Sequence, residues 1–239
     1  ARKPDTFKTK KAVGKGMDNL HYRIQVAPLD CTGCGNCADI CPVKEKALVM
    51  KPAEQEIEME SKNWDFAMTV TDKDSLIDTK TLKGSQFVRP LLEFSGACPG
   101  CGETPYIKLL TQLFGDRMVV SNATGCSSIW GVYAPSIAYT TNAEGRGPAW
   151  INPLFEDAAE FGYGLYLGAN QIREKLADLM IKAIHEGIRA NIKNAFENWL
   201  NSMDDGEKSK EATQKVLEVL EVQDEKNQLI QEILKRRDY

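Results

Sequence analysis

The chain has 239 residues, of which 42% are hydrophobic, and a formal net charge of -4 at pH 7. This length and composition fit a globular protein with one large domain or two small ones. The acidic balance argues against nucleic-acid binding, which needs a basic face. No apolar run is long enough to span a bilayer, and residues 1–15 lack the apolar stretch of a secretory signal peptide. We therefore expect a cytoplasmic protein, or one in an equally reducing compartment.

The cysteines are few, odd in number and grouped. The seven are Cys31, Cys34, Cys37, Cys41, Cys98, Cys101 and Cys126. An odd set at short spacings argues against a disulfide scaffold. In a reducing compartment it favours metal or cluster binding, because thiolates two residues apart can bind one soft metal centre.

The first cysteine group predicts a ferredoxin-type cluster site. Its spacing is C-x2-C-x2-C-x3-C-P, and it ends at Cys41 and Pro42. Three of these thiolates can cap three iron corners, while the fourth binds the neighbouring cluster in two-cluster proteins. Zinc is the alternative, although zinc sites usually combine C-x2-C pairs that are set well apart. If Cys41 serves a neighbouring cluster, that cluster needs a second run that this chain does not contain; otherwise Cys41 closes the local cluster.

Short elements surround this run. Strands are predicted at 22–26 and 47–50, and Gly33 and Gly35 give the backbone freedom to wrap a cluster. We assign residues 1–60 to a small, loop-rich 4Fe-4S module. Residues 51–83 are polar and mixed in charge, which is typical of connecting structure on the surface. With the 4Fe-4S module ending at residue 60, we assign residues 61–84 to this connecting segment.

Residues 85–239 begin with an α/β pattern. A helix is predicted over 105–114 and a buried strand over 118–121, and a loop containing Gly125 follows. Loops after strands are where α/β proteins usually bind ligands. Residues from 156 onward have the apolar stripes of core-facing helices, and 201–211 is predicted to be an exposed connection that breaks them.

The second cysteine group is less specific than the first. A single C-x2-C pair, here Cys98 and Cys101, is found in redox dithiols, zinc sites and cluster sites. A lone cysteine such as Cys126 is often only a small buried apolar residue. Spacing leaves cluster and zinc open, and the surrounding glycines favour a tight loop pair that encloses a ligand. Three thiolates leave one ligand unaccounted for.

Four segments, taken together and in order, closely resemble the pyruvate:ferredoxin (flavodoxin) oxidoreductases. They are the run at Cys31, the segment 95–106 (SGACPGCGETPY), the segment 122–128 (NATGCSS) and the segment 141–150 (TNAEGRGPAW). The resemblance covers essentially the whole chain. It implies an interior fragment of α+β and α/β class: part of a ferredoxin-like two-cluster module over 1–60, and the start of a thiamine-diphosphate-binding α/β domain with long helices over 85–239.

The resemblance also explains the shortage of ligands. It implies a segment that starts after the first ferredoxin-type run and stops before the GDG loop that holds Mg²⁺ and the diphosphate. The only Gly-Asp pair here, Gly115 and Asp116, is followed by Arg117. The partner run would lie upstream, and the fourth ligand of the second group would lie downstream.

Carried over residue by residue, the resemblance assigns metal ligands and cofactor contacts but no catalytic residue. Cys31, Cys34 and Cys37 would bind one 4Fe-4S cluster, Cys41 its neighbour, and Cys98, Cys101 and Cys126 the cluster nearest the thiamine. Glu103 and Cys126 would line the thiamine pocket. For Glu103 the alternative is an exposed carboxylate that is favoured at a helix N-terminus by the helix dipole.

The implied reaction is oxidative decarboxylation of pyruvate with coenzyme A to acetyl-CoA and carbon dioxide, with electrons passing through the clusters to ferredoxin or flavodoxin. Thiamine diphosphate with Mg²⁺ would be bound by the complete enzyme, a homodimer, and the remainder of the same polypeptide would be this segment's main partner. The chain alone is expected to be inactive. The alternatives are an electron-transfer module without catalysis of its own and an oxidoreductase for another 2-oxoacid.

Overall fold

The structure is a computed structural model that describes residues 2–133, 136–221 and 227–237. The chain divides into two compact units, Ala1–Ala158 and Ala159–Tyr239. Helices and three two-stranded sheets are present in the described part, so the mixed helix and sheet class is confirmed. The division into 1–60, 61–84 and 85–239 stays a prediction. Among the described residues, no helix has both the length and the apolar content needed to cross a membrane.

The N-terminal part of the first unit has little regular structure around the first cysteine group. Its elements are β1 (Lys10–Lys11), β2 (His21–Tyr22), α1 (Asn36–Asp39), α2 (Ala53–Ala67) and α3 (Leu82–Ser85). β1 and β2 pair antiparallel. The strand predicted at 22–26 is wrong beyond Tyr22, and no strand forms at 47–50. The side chain of Arg23 instead binds Glu60 of α2, so polar contacts with a helix replace a strand partner.

Helix α2 was not predicted, because its sequence is mainly polar. The N-terminal segment packs against it: the hydroxyl of Thr6 donates to Oδ1 of Asn63 at 2.9 Å, and the ring of Phe7 meets Phe66 edge to face at 4.8 Å. Asn63 is fully buried. Contacts between residues far apart in sequence therefore make this polar segment part of the folded unit.

A charged network joins α2 to the segment after β2. Nη2 of Arg23 lies 2.9 Å from Oε2 of Glu60, and the side-chain amide of Gln25 donates to the same oxygen at 2.8 Å. Burial would raise the pKa of Glu60, but the hydrogen bonds, including those from Gln25 and Arg23, lower it overall. The charged form of Glu60 therefore stabilises the first unit.

Replacing Glu60 with Gln is expected to destabilise the first unit at neutral pH. Because the pKa of Glu60 is lowered on folding, its contribution is present above its unfolded pKa and is lost as pH falls through the folded pKa. We expect a loss of about 1 kcal/mol in the free energy of unfolding at pH 7, and no difference at a pH below the folded pKa. Denaturant unfolding at both pH values would test this.

The matched control is Glu58→Gln on the same helix. The side chain of Glu58 is 89% exposed and that of its partner Lys62 is 65% exposed. Such exposed ion pairs contribute little to the free energy of unfolding. An equal loss for both variants, or a loss for Glu60→Gln that does not change with pH, would contradict the assignment.

The rest of the first unit follows the predicted α/β order. Its elements are α4 (Thr104–Phe114), β3 (Val119–Ser121), α5 (Cys126–Gly131), β4 (Val132–Tyr133), β5 (Ser136–Ile137) and β6 (Ala149–Ile151). The predicted helix at 105–114 and strand at 118–121 are confirmed to within one residue. β3 pairs parallel with β6, and Val120 lies opposite Trp150. A parallel pair has both carboxyl ends at one edge, which is where α5 begins after β3.

The second unit is helical, as predicted. It contains α6 (Ala158–Glu186), which starts at the unit boundary, then α7 (Ala190–Asn201), α8 (Gly206–Glu221) and α9 (Gln228–Leu234). The predicted break at 201–211 is confirmed but shorter, because α8 begins at Gly206. One core joins the helices; its buried residues include Leu176, Met180, Ala183, Ile192, Phe196, Val216, Leu220 and Ile230.

Phe196 of α7 is the largest fully buried side chain of the second unit. Phe196→Ala is expected to lower the free energy of unfolding of this unit by about 3–5 kcal/mol, because it removes apolar contacts and leaves a cavity. Thermal and denaturant unfolding followed by circular dichroism would measure the loss. Phe161→Ala, at a Phe that is 42% exposed, is the matched control and should cost clearly less. Equal losses would contradict the assignment of Phe196 to the core.

Candidate functional site

The first cysteine group lies on an exposed loop and on helix α1. Cys31, Cys34 and Cys37 are exposed, and Cys41 is partly buried. Gly33 and Gly35 have φ values of 70° and 82°, in the left-handed region that only glycine adopts easily. These two residues let the loop curl, so successive thiols need not follow an extended path.

The sulfur of Cys41 is held by the backbone that follows it. The N–H of Ala47 donates to Sγ of Cys41 at 3.3 Å. This hydrogen bond, followed by one from Val43, lowers the pKa of the Cys41 thiol. Nζ of Lys46 also donates to the carbonyl oxygen of Cys41 at 2.9 Å. The local backbone therefore favours the thiolate, the form that binds metal.

The second cysteine group begins with a tight turn. The N–H of Cys101 donates to the carbonyl oxygen of Cys98 at 3.0 Å, and Gly100 within the turn has a φ of 75°. Ala97, just before the turn, packs against a small apolar core formed by Leu92, Trp130 and Ala138. That core fixes the base of the loop.

Cys126 is exposed, but its helix reaches the same core through Trp130. It is the first residue of α5, and the hydroxyl of Ser128 accepts from the N–H of Gly125 at 2.8 Å and donates to its carbonyl at 2.7 Å. Trp130, one helical turn after Cys126, is 4% exposed. The loop at Cys98 and the helix that begins at Cys126 thus pack on one apolar cluster, through Ala97 and Trp130.

Glu103 lies at the start of α4 and faces the same cluster. Nε1 of Trp130 donates to Oε2 of Glu103 at 3.4 Å. Burial, and then the charge of Glu103, raise the pKa of Tyr139. The side chain of Glu103 makes no capping hydrogen bond to α4. Glu103 is exposed at the N-terminus of α4, as the alternative of a carboxylate favoured by the helix dipole expects, and its contact with thiamine stays a prediction.

Asn122 was not predicted as a site residue. It directly follows β3, and its Oδ1 accepts from the hydroxyl of Ser127 at 2.9 Å. Its Nδ2 is buried and has no hydrogen-bond partner within the part of the chain that the structure describes. A buried donor without a partner is costly unless a ligand satisfies it. The signal in the sequence was a polar residue directly after a buried strand.

The two cysteine groups meet at Gly100. A Cβ atom on Gly100 would lie 3.4 Å from Nδ2 of Asn36 and 3.9 Å from Cβ of Cys34. The turn between Cys98 and Cys101 therefore lies beside the loop of the first group. Within residues 2–133, 136–221 and 227–237, no three His, Cys, Asp or Glu side chains are arranged to hold a metal ion. The ligand sets stay predictions.

Two family models match the chain. Residues 24–44 match the 4Fe-4S binding domain, and residues 172–228 match the insertion domain of pyruvate-ferredoxin oxidoreductase. The first match contains all four cysteines of the first group, and the second lies in the helical unit. With the cysteine spacing and the folded loops, the first match defines an iron–sulfur protein.

Relatives extend this similarity to nearly the whole chain. The chain is 50% identical over 99% of its length to "Pyruvate:ferredoxin oxidoreductase" of Moorella thermoacetica and 49% identical over 94% to "Pyruvate-flavodoxin oxidoreductase" of Klebsiella pneumoniae. It is also 45% identical over 98% to "Pyruvate dehydrogenase [NADP(+)], mitochondrial" of Euglena gracilis. It covers 21%, 19% and 13% of these proteins. The chain belongs to the pyruvate:ferredoxin (flavodoxin) oxidoreductase family and matches an interior segment of such a protein.

Proposed function

We propose that this chain is the part of a pyruvate:ferredoxin (flavodoxin) oxidoreductase that carries electrons away from the reacting centre through 4Fe-4S clusters. The observation that carries the proposal is the complete ferredoxin-type run within the matched segment 24–44. The hydrogen bond from Ala47 that favours the thiolate of Cys41 supports it.

The donor set of the first group fits a 4Fe-4S cluster. Cys31, Cys34 and Cys37 would hold one cluster, and Cys41 would bind its neighbour. Thiolates are the ligands that iron–sulfur clusters take, and the positive φ values of Gly33 and Gly35 let the exposed loop that carries them curl. Each cluster would accept and release one electron at a time.

The second group fits a cluster beside an organic cofactor. Cys98, Cys101 and Cys126 would hold the cluster, and Glu103 and Cys126 would also contact thiamine diphosphate. Thiamine diphosphate with Mg²⁺ would supply the carbon chemistry when bound. The unsatisfied Nδ2 of Asn122 adds a donor at the carboxyl end of β3, which suits a ligand rich in acceptor oxygens. We therefore add Asn122 to the proposed cofactor contacts.

The substrates and acceptors are proposed from the relatives. Pyruvate and coenzyme A would be consumed, and acetyl-CoA and carbon dioxide formed. The proposed electron acceptor is ferredoxin or flavodoxin. A relative named for NADP(+) also shares this segment, at 45% identity. All the relatives compared above are named for pyruvate, which favours it over another 2-oxoacid.

The chain is proposed to work within a longer, homodimeric polypeptide in the cytoplasm. It spans about a fifth of the length of the two bacterial relatives. The N-terminal half of α6 supports a larger assembly, because Phe161, Tyr163 and Tyr166 are 42%, 62% and 59% exposed. Exposed aromatic side chains in a cluster mark surfaces that other protein covers. We propose that the remainder of the polypeptide covers this half of α6.

The proposal is tested on the polypeptide that contains this segment, purified without oxygen. We expect iron and acid-labile sulfide, and reduction of ferredoxin that requires both pyruvate and coenzyme A. The 239-residue chain alone, given thiamine diphosphate and Mg²⁺, should not support this reaction. Stoichiometric zinc without iron would overturn the cluster assignment. Iron without pyruvate-dependent reduction of ferredoxin would support only the alternative, an electron-transfer module without catalysis of its own.

A further inference from the structure

The two cysteine groups approach each other at Gly100 and Asn36. A Cβ on Gly100 would lie 3.4 Å from Nδ2 and 3.8 Å from Oδ1 of Asn36. The side-chain amide of Asn36 therefore faces the turn between Cys98 and Cys101. Asn36 itself stands two residues after Cys34 and one before Cys37. Its amide thus lies where the two predicted ligand loops approach each other.

We propose that Asn36 is a positioning residue that holds the Cys98–Cys101 turn against the Cys34–Cys37 loop and so sets electron transfer between the two cluster sites. This inference rests on the proposed function, because it requires both groups to bind clusters. The step is the passage of one electron: the site of the second group is oxidised and that of the first is reduced. No bond is formed or broken, and no proton moves.

A neutral amide at position 36 and a glycine at position 100 both suit the close approach of the two loops. Transfer of an electron between redox centres slows steeply with distance, so a direct loop contact keeps the path short. Gly100 adopts a φ of 75°, which lets the turn present its backbone to Asn36 without a side chain between them. A carboxylate at position 36 would lie beside both sites and disfavour the added electron at each, because net charge helps to set cluster potentials.

The charge at position 36 is tested with Asn36→Asp in the anaerobic polypeptide that contains this segment. Potentiometry followed by electron paramagnetic resonance should show the reduction potentials of both clusters shifted to lower values. Asp39→Asn is the matched control. The carboxylate of Asp39 lies 3.9 Å from a Cβ on Gly35, on the first loop, so its removal should raise only the potential of the first group's cluster.

The loop contact is tested with Asn36→Ala, which removes the amide that faces the turn. Its matched control is Thr32→Ala, because Thr32 lies on the same exposed loop and is not a predicted ligand. Only Asn36→Ala should weaken the magnetic interaction between the reduced clusters and slow electron transfer between them severalfold, measured after rapid mixing with a reductant.

The outcomes separate this inference from the proposed function. A shift of both potentials by Asn36→Asp, with weaker coupling in Asn36→Ala but not in Thr32→Ala, supports it. Clusters that are present in all variants, with only one potential moved or with equal effects of both alanines, would overturn this inference and leave the proposed function intact. Absence of iron from the unmodified protein would overturn the proposed function, and this inference with it.

Discussion

Replacing Cys34 with Ser is expected to remove the iron of one 4Fe-4S cluster while leaving the helical unit folded. Cys34 is exposed on a loop, so its sulfur contributes no core packing that the substitution would disturb. A serine hydroxyl is a poor substitute for a thiolate ligand of an iron–sulfur cluster. Iron and sulfide analysis of the anaerobic protein, with circular dichroism for helix content, would measure the result.

Thr32→Ala is the control for this loss. Thr32 lies in the same exposed loop, between Cys31 and Gly33, and is not a predicted ligand. The Thr32→Ala variant should retain as much iron as the unmodified protein. Full iron content in Cys34→Ser, or the same loss in Thr32→Ala, would show that the loop does not bind a cluster through Cys34.

The features that the sequence predicted well are local ones. The ferredoxin-type run occupies twelve consecutive positions, 31–42, and its meaning depends on spacing alone. The helix before Gly115 and the strand after it were also predicted, because apolar periodicity and a terminal glycine are signals that lie within a single helix or strand. In the helical unit, the predicted stripe residues Leu176, Met180 and Val216 are buried.

The features that the sequence did not predict depend on contacts between distant segments. Helix α2 was missed because its buried residue is polar: Asn63 is stabilised by Thr6, 57 positions earlier. Asn122 became a candidate only when its amide nitrogen proved to be buried without a partner among the described residues. The contact of Gly100 with Asn36 spans 64 positions, and no pattern within either loop indicates it.

The helical unit shows a second kind of feature that the sequence pattern does not predict, namely which helices form one core. Its helices have ordinary amphipathic patterns, and sequence reasoning assigned them to the same α/β domain as the second cysteine group. The family model places residues 172–228 in an insertion domain, and the structure puts them in a separate compact unit. Periodicity predicts that a helix buries one face, but it does not say which helices share a core.

Cys126→Ser in the complete enzyme is expected to lower kcat by at least about 10-fold, since even partners that only orient metal ligands have effects of 10- to 100-fold. The KM for pyruvate should change little, because the lost thiolate changes the electron path and not pyruvate binding. Ferredoxin reduction at varied pyruvate concentration measures both.

Ile129→Ala is the control. Ile129 is on the same helix and 56% exposed, so the kcat of this variant should stay near that of the unmodified enzyme. A raised KM at unchanged kcat would instead place Cys126 against the substrate, and unchanged turnover would exclude it as a cluster ligand.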